Sequence, residues 1–260
     1  MTGSAPTAAT PLTYVSYLRL PEMLECQTPQ TDEHDELLFV IIHQVYELWF
    51  KQILHETALL QARLEAGAAA AALQTARRIA KILKTIVGQL DVLETLTPKQ
   101  FASFRPQLGG SSGFQSEQFR ELEAVLGRRD LDGVRDERTA AALTRRSVFD
   151  SLLRCLVHTG YDVPDAALER DPAEPWPAGD PDILQVLRQV YEDDTSAAAE
   201  VCESLVDIDE GIQEWRYRHV KMVERIIGGQ LGTGGSSGAD YLRSTLFRPA
   251  FPDLWQVRGA

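Results

Sequence analysis

The segment AAAAALQTARRIAKILKTIVGQLDVLETL, residues 68–96, carries the strongest structural signal in the sequence. Its large apolar residues recur every three or four positions, a spacing that places side chains on one face of an α-helix. They are Ile79, Ile82, Leu83, Ile86, Leu90 and Leu93. Such a face has to be buried against other elements. The segment therefore predicts a long helix packed inside a larger structure.

The same spacing predicts helices on both sides of this segment. One is expected at about 35–64, and the last long helix at about 183–227 with a break near 193–196. Thr97, which is followed by a proline, has the side chain of an N-cap, and Ser116 marks another helix start. Alternating runs bounded by tight-turn dipeptides, which would indicate strands, are nearly absent. The fold class is therefore predicted to be all-α.

Length and composition favour one domain. A chain of 260 residues with 44% hydrophobic residues can bury one substantial core, or two at most. The stretch 164–182 is Pro-rich and acidic, and we expect an exposed loop there instead of a domain boundary. We predict a single helical-bundle domain over residues 14–260, preceded by a disordered tail at 1–13.

Charge, hydropathy and cysteine usage exclude several classes of partner. The formal net charge of −12 opposes binding to nucleic acid. No uninterrupted run approaches the roughly 20 apolar residues of a membrane span, and the N-terminus lacks the basic start and apolar core of a secretory signal. The three cysteines are too few and too scattered for a disulfide framework. These features predict a cytoplasmic protein without a membrane partner.

Two of the five histidines lie in apolar helical surroundings. His43 follows the apolar run 37–42 and lies one turn after Phe39, so the two side chains project together. Alternatively, His43 could be the first residue of a polar stripe along this helix. His219 lies on an apolar stripe, either as a core histidine bonded to the backbone or as an axial ligand of a haem iron. No Glu-x-x-His pair occurs, which argues against a di-iron bundle.

Two glycine-rich loops are further candidates. GGSSG, residues 109–113, comes four residues after Arg105, and GTGGSSG, residues 232–238, contains Thr233 and follows a predicted helix. The second loop follows a predicted helix and has no lysine, whereas a P-loop contains a lysine and precedes its helix. Each could be only a helix end and a flexible connection. The alternative is a loop that covers a small polar ligand, with Arg105 clamping a carboxylate.

Together these segments resemble the tryptophan 2,3-dioxygenase family. The matching stretches span residues 14 to 258, nearly the whole chain, and several long motifs agree in order. They are YVSYLRL (14–20), HDELLFVIIHQVYELWFKQ (34–52), LETLTPKQFASFRPQLGGSSGFQSEQFRELE (93–123), WRYRHVKMVERIIG (215–228) and GTGGSSGADYLRSTLFRPAFPDLWQVR (232–258). The resemblance implies a helical homotetramer with one haem b per subunit. It would insert both atoms of O2 across the indole C2–C3 bond of L-tryptophan, giving N-formylkynurenine, the first step of the kynurenine pathway.

The resemblance also implies a role for particular residues around the haem. His219 matches the family's proximal ligand of the haem iron. Ser112 and Gly113 match residues that bind the cofactor. His43 matches the distal histidine that faces the indole N–H. Leu90 falls where relatives often carry an aromatic residue beside the haem, so the pocket is expected to be roomier there.

Other residues match the family's substrate pocket. Phe39 and Phe101 match aromatic residues around the indole, and Arg105 matches the residue that binds the carboxylate. Thr233 matches the residue that contacts the ammonium and carboxylate groups, within a loop that closes over the bound amino acid.

The N-terminal tyrosines Tyr14 and Tyr17 match residues that reach into a neighbouring subunit's pocket. Between them lies Val15, where relatives usually have glycine, and valine restricts the backbone there.

Two other functions share many of these features. A haem-dependent monooxygenase that forms an oxindole or hydroxylated product from a substituted tryptophan would use the same ligand and clamp. A haem-binding sensor without turnover would keep His219 but would not need Arg105 and Thr233 to recognise an amino acid. Tryptophan-dependent spectral changes and the mass of the product separate the three.

Overall fold

The computed structural model describes residues 11–131, 136–233 and 239–259, and within them it contains helices and no strands. The α-helices are α1 (Tyr14–Leu18), α2 (Leu20–Leu24), α3 (Glu36–Glu65), α4 (Ala69–Leu93), α5 (Pro98–Phe104), α6 (Glu117–Leu126), α7 (Glu137–Leu143), α8 (Val148–His158), α9 (Asp165–Glu169), α10 (Pro181–Tyr191), α11 (Ala197–Ile227), α12 (Ala239–Ser244) and α13 (Pro252–Gln256). Short 3-10 turns occupy Arg105–Leu108, Gly113–Gln115 and Val257–Gly259. The predicted all-α class is confirmed.

Helix α4 lies at the centre of the fold, packed against both α3 and α11. All six of its predicted core residues are buried. A Cβ added at Gly211 of α11 would lie only 3.1 Å from the Cβ of Leu83. The missing side chain at Gly211 therefore allows the two helices to approach closely. On the other flank, the hydroxyl of Tyr46 on α3 donates to the carbonyl of Ile86, which fixes α3 against α4.

The helix boundaries follow local capping signals. Thr97 accepts a hydrogen bond from the backbone N–H of Gln100, whose side chain accepts one from the Thr97 N–H in return. Ser116 caps α6 through the N–H of Phe119. The predicted break in the last long helix is present between α10 and α11, where Ser196 caps α11. These caps position α5, α6 and α11, which enclose the site together with α3 and α4.

Two segments are more ordered than the sequence analysis predicted. The stretch 164–182 contains the short helix α9, and its Trp176 packs on Phe149 and donates its indole N–H to the carboxylate of Asp253. No residue of this stretch is buried, in agreement with the predicted exposure, although α9 and the contacts of Trp176 order it. The predicted tail at 1–13 lies outside the described residues as far as residue 10. Thr13 caps the unpredicted helix α1.

One described helix, α3, is long and apolar enough to cross a membrane by length and composition alone. One of its faces belongs to the core, through residues that include Ile42, Phe50 and Ile53. A core helix passes the same test, so this is weak evidence for a membrane span. Four large apolar residues are nevertheless exposed along another face of α3. They are Leu37, Ile41, Leu48 and Leu59.

Candidate active site

A cavity of about 390 Å³ opens between α3, α4, α5, α6 and α11. This volume lies within the range of small-molecule and cofactor pockets, roughly 300–1,000 Å³. Eight of the ten predicted site residues line it. They are Phe39, His43, Phe101, Arg105, Ser112, Gly113, His219 and Thr233. The fold therefore brings together residues that are up to 194 positions apart in the sequence.

The remaining two predicted residues lie elsewhere. Tyr14 and Tyr17 are on α1, where they are 75% and 72% exposed, and they do not line the cavity of their own chain. Most of the second glycine-rich loop, residues 234–238, lies outside the described residues, so only its first two residues can be placed.

Aromatic rings form one wall of the cavity. Phe39 and His43 are one helical turn apart on α3, and their ring centroids are 4.1 Å apart. The cap at Thr97 starts α5 so that Phe101 comes to 5.7 Å from the Phe39 ring. Phe104, which is fully buried and does not line the cavity, packs against Phe101 with the ring centroids 5.4 Å apart. The rings are tilted against one another, by 38° for Phe39 and His43 and by 40° for Phe39 and Phe101, and together they give the cavity an apolar aromatic wall.

His43 is fixed in one tautomer by the backbone. Its Nδ1 lies 2.7 Å from the carbonyl oxygen of Phe39, which can only accept, so Nδ1 carries the proton. Nε2 is consequently the acceptor nitrogen. Burial lowers the pKa of His43 below its ordinary value, outweighing the hydrogen bond to Phe39 and the nearby carboxylate of Glu47. His43 is therefore a neutral hydrogen-bond acceptor near pH 7.

His219 projects from α11 into the same cavity. Burial, together with the nearby His43, lowers the pKa of His219 to about 4. Its ring stacks on Trp215 one turn earlier, with centroids 5.1 Å apart and planes inclined by 4°. Trp215 in turn packs on Phe119 at 4.8 Å. His219 is thus a neutral imidazole held in a fixed orientation, which is the form that binds a metal.

The polar, more exposed end of the cavity is built from both glycine-rich segments. The Arg105 guanidinium lies 5.9 Å from the centre of the Phe101 ring. Its two terminal nitrogens donate to the side-chain oxygen of Gln230 and to the carbonyl of Leu231. The hydroxyl of Thr233 donates to the carbonyl of Ser111. These bonds join the segment after α5 to the segment after α11.

Sequence analysis missed a charged cluster along the cavity. Arg216, only 7% exposed, donates to the equally buried carboxylate of Glu123, which also accepts from Arg128 at 2.7 Å. Arg216 was not among the residues that the sequence singled out. However, it lies four positions after Ile212 and four before Val220, both buried, and that spacing could have indicated a buried charge.

Comparison of the amino-acid sequence with known proteins identifies one family. A profile of tryptophan 2,3-dioxygenase matches residues 2–178 and 183–260. The tryptophan 2,3-dioxygenase of Anaeromyxobacter sp. (strain K) is 57% identical over 265 residues, covering 99% of this chain and 98% of the relative. The enzymes of that name from Herpetosiphon aurantiacus and Caulobacter vibrioides are 51% and 43% identical, each covering 95% of this chain and 97% of the relative. This chain belongs to the tryptophan 2,3-dioxygenase family.

Proposed function

We propose that the protein is a haem-dependent dioxygenase that uses O2 to cleave the indole C2–C3 bond of L-tryptophan, releasing N-formylkynurenine. Membership of a haem-dependent family supports this. The observation that carries the proposal is one cavity that combines a neutral His219, a neutral His43 and the cation of Arg105. A metal ligand, an acceptor for an N–H and a carboxylate partner are the groups that this reaction needs. The reaction opens the kynurenine pathway.

The residues of the cavity fit a haem b, one per subunit. His219 offers a neutral ring nitrogen in a cavity that the apolar residues Leu90, Leu93 and Met222 also line. Ser112 and Gly113 line another part of the same space, and a Cβ added at Gly113 would meet nothing within 4 Å. His219 would hold the iron, and these residues would enclose the macrocycle. When bound, the haem binds and activates O2, which no side chain of the protein does.

Side chains at the polar end and on the aromatic wall of the cavity bind the amino-acid substrate. The Arg105 guanidinium pairs with the α-carboxylate, and Thr233 contacts the carboxylate and ammonium groups from the segment after α11. Phe39 and Phe101 pack against the indole ring and exclude water from it. Fixing both ends of the substrate would orient the reacting bond for the chemistry that the haem supplies and would lower the entropy lost in the reaction.

His43 positions the indole nitrogen and does not act as an essential base. Its Nε2 is an acceptor because Nδ1 donates to the backbone of Phe39. Burial lowers the pKa of His43, which makes it a weak base towards an indole N–H, itself a very weak acid. Accepting a hydrogen bond requires no proton transfer. His43 therefore fixes the orientation of the substrate.

We also propose a homotetramer in which the N-terminal segment contributes to a neighbour's active site. Tyr14 and Tyr17 expose apolar rings on the short helix α1. The exposed apolar residues of α3, described above, all fall within about 40° of one another around the helix axis, a stripe suited to a second copy of the chain.

Three free cysteines fit a cytoplasmic enzyme.

The decisive experiment identifies the product by mass. The haem-loaded protein is reduced without O2, then given L-tryptophan and O2. A product heavier than tryptophan by two oxygen atoms supports ring cleavage. A gain of one oxygen assigns the enzyme to the oxindole-forming branch. A tryptophan-induced spectral change without product indicates a modified tryptophan as substrate, and no spectral change indicates a haem sensor.

A further inference from the structure

Arg105 is held by a turn whose own position is fixed by the backbone. Helix α11 ends at Ile227, and Gly228 follows with φ of +58°, a left-handed conformation that favours glycine. The N–H of Gly228 donates to the carbonyl of Glu224, and the N–H of Gln230 donates to that of Ile227. These bonds fix the backbone of Gln230, and so the position of its Cα, beside the opening of the cavity.

The contacts of Arg105 fix the orientation of its guanidinium plane. One terminal nitrogen donates to the Gln230 side chain and the other to the Leu231 carbonyl. A planar guanidinium carries five N–H groups, so three remain for another acceptor. The two acceptors on the turn and the nearby Phe101 ring fix the guanidinium plane of Arg105. The directions of its three remaining N–H groups are fixed as a result. A carboxylate can then pair with an arginine that is already oriented.

We infer that Gln230 is a positioning residue for the carboxylate of the amino-acid substrate, acting through Arg105. The inference rests on the proposed function of this cavity. Gln230 supplies a neutral acceptor, so it orients Arg105 without neutralising its charge. A carboxylate at position 230 would instead compete with the substrate for the same cation.

The test compares Gln230→Ala and Gln230→Glu with Gln189→Ala, an exposed glutamine on α10, as the matched control. All are haem-loaded. For Gln230→Ala, KM for L-tryptophan is expected to rise roughly fivefold, the factor that one hydrogen bond contributes, while kcat stays within about twofold. Gln230→Glu should raise KM further, and the control should change neither.

Binding of tryptamine, an indole ligand without a carboxylate, separates the loss of carboxylate recognition from general damage to the pocket. General damage would weaken the binding of both tryptamine and L-tryptophan. The dissociation constant of tryptamine should be unchanged in Gln230→Ala, whereas that of L-tryptophan rises. A lower KM in Gln230→Ala would show that Gln230 competes with the substrate and would overturn the inference. Equal weakening of both ligands would do the same. If the wild type binds L-tryptophan but releases no N-formylkynurenine, the proposed function fails while the binding comparison still decides the role of Gln230.

Discussion

Replacing the buried carboxylate of Glu123 tests how the charged cluster supports the fold. Glu123 accepts hydrogen bonds from Arg216 and Arg128, and the side chains of Glu123 and Arg216 are 10% and 7% exposed. Removing one partner of a buried ion pair typically costs about 3–5 kcal/mol, because the other charge stays buried without compensation. Glu123→Gln keeps the shape and one acceptor oxygen, so about 3 kcal/mol is expected. For a chain of this size that corresponds to a fall of about 5–6 °C in the melting temperature.

Glu214→Gln is the matched control because Glu214 makes a similar ion pair with Lys84 at the surface, where their side chains are 37% and 67% exposed. Exposed pairs contribute roughly 0–1 kcal/mol, so this variant should lose about 2 °C or less. Urea unfolding and thermal melting are measured on all proteins in the same haem-loaded state. In an Arg216→Met background, Glu123→Gln should be less than half as destabilising. Equal losses for the two Gln variants, or full additivity with Arg216→Met, would refute the reasoning.

Three further outcomes are expected. His43→Ser should retain substantial turnover, since His43 orients the indole and removes no proton; complete loss of turnover with normal binding of haem and tryptophan would contradict this. His219→Ala should fail to retain haem, and a normal Soret band in that variant would disprove the ligand assignment. The backbone N–H of Gln30 and the hydroxyl of Thr31 donate hydrogen bonds to Glu36, and these bonds lower the pKa of its carboxyl below the ordinary value of 4.5. This carboxylate therefore stabilises the 30–31 turn fully above pH 4.5, and the contribution is lost as the pH falls through the lower value in the fold. The protection factor of the Thr31 amide, corrected for the intrinsic exchange rate at each pH, should fall with acid in the wild type, and in Glu36→Gln it should already be low at pH 7.

The sequence predicted well the features that depend on interactions between residues close together in the chain, namely the long helices and their N-caps. Helical periodicity located α3, α4 and α11, because burying one face of a helix requires apolar residues at a spacing of three or four. The caps at Thr97 and Ser116 are bonds between residues three positions apart, so they could be read directly from the chain. Motif resemblance selected eight residues that the fold places around one cavity. The short helices α1, α2 and α9 were not predicted, since five residues are too few for a periodic signal.

Only the tertiary structure decided how distant parts of the chain meet. Arg216 and Glu123 are 93 positions apart, and nothing local shows that α6 and α11 enclose both charges together. Gln230 reaches Arg105 across 125 positions, a contact that depends on where α11 ends relative to α5. The sequence by itself determined the long helices, the caps at Thr97 and Ser116 and the types of side chain available for chemistry. Their relative placement depends on packing between helices, and the pKa of His219 and the orientation of Arg105 follow from that packing and not from either residue's neighbours in the chain.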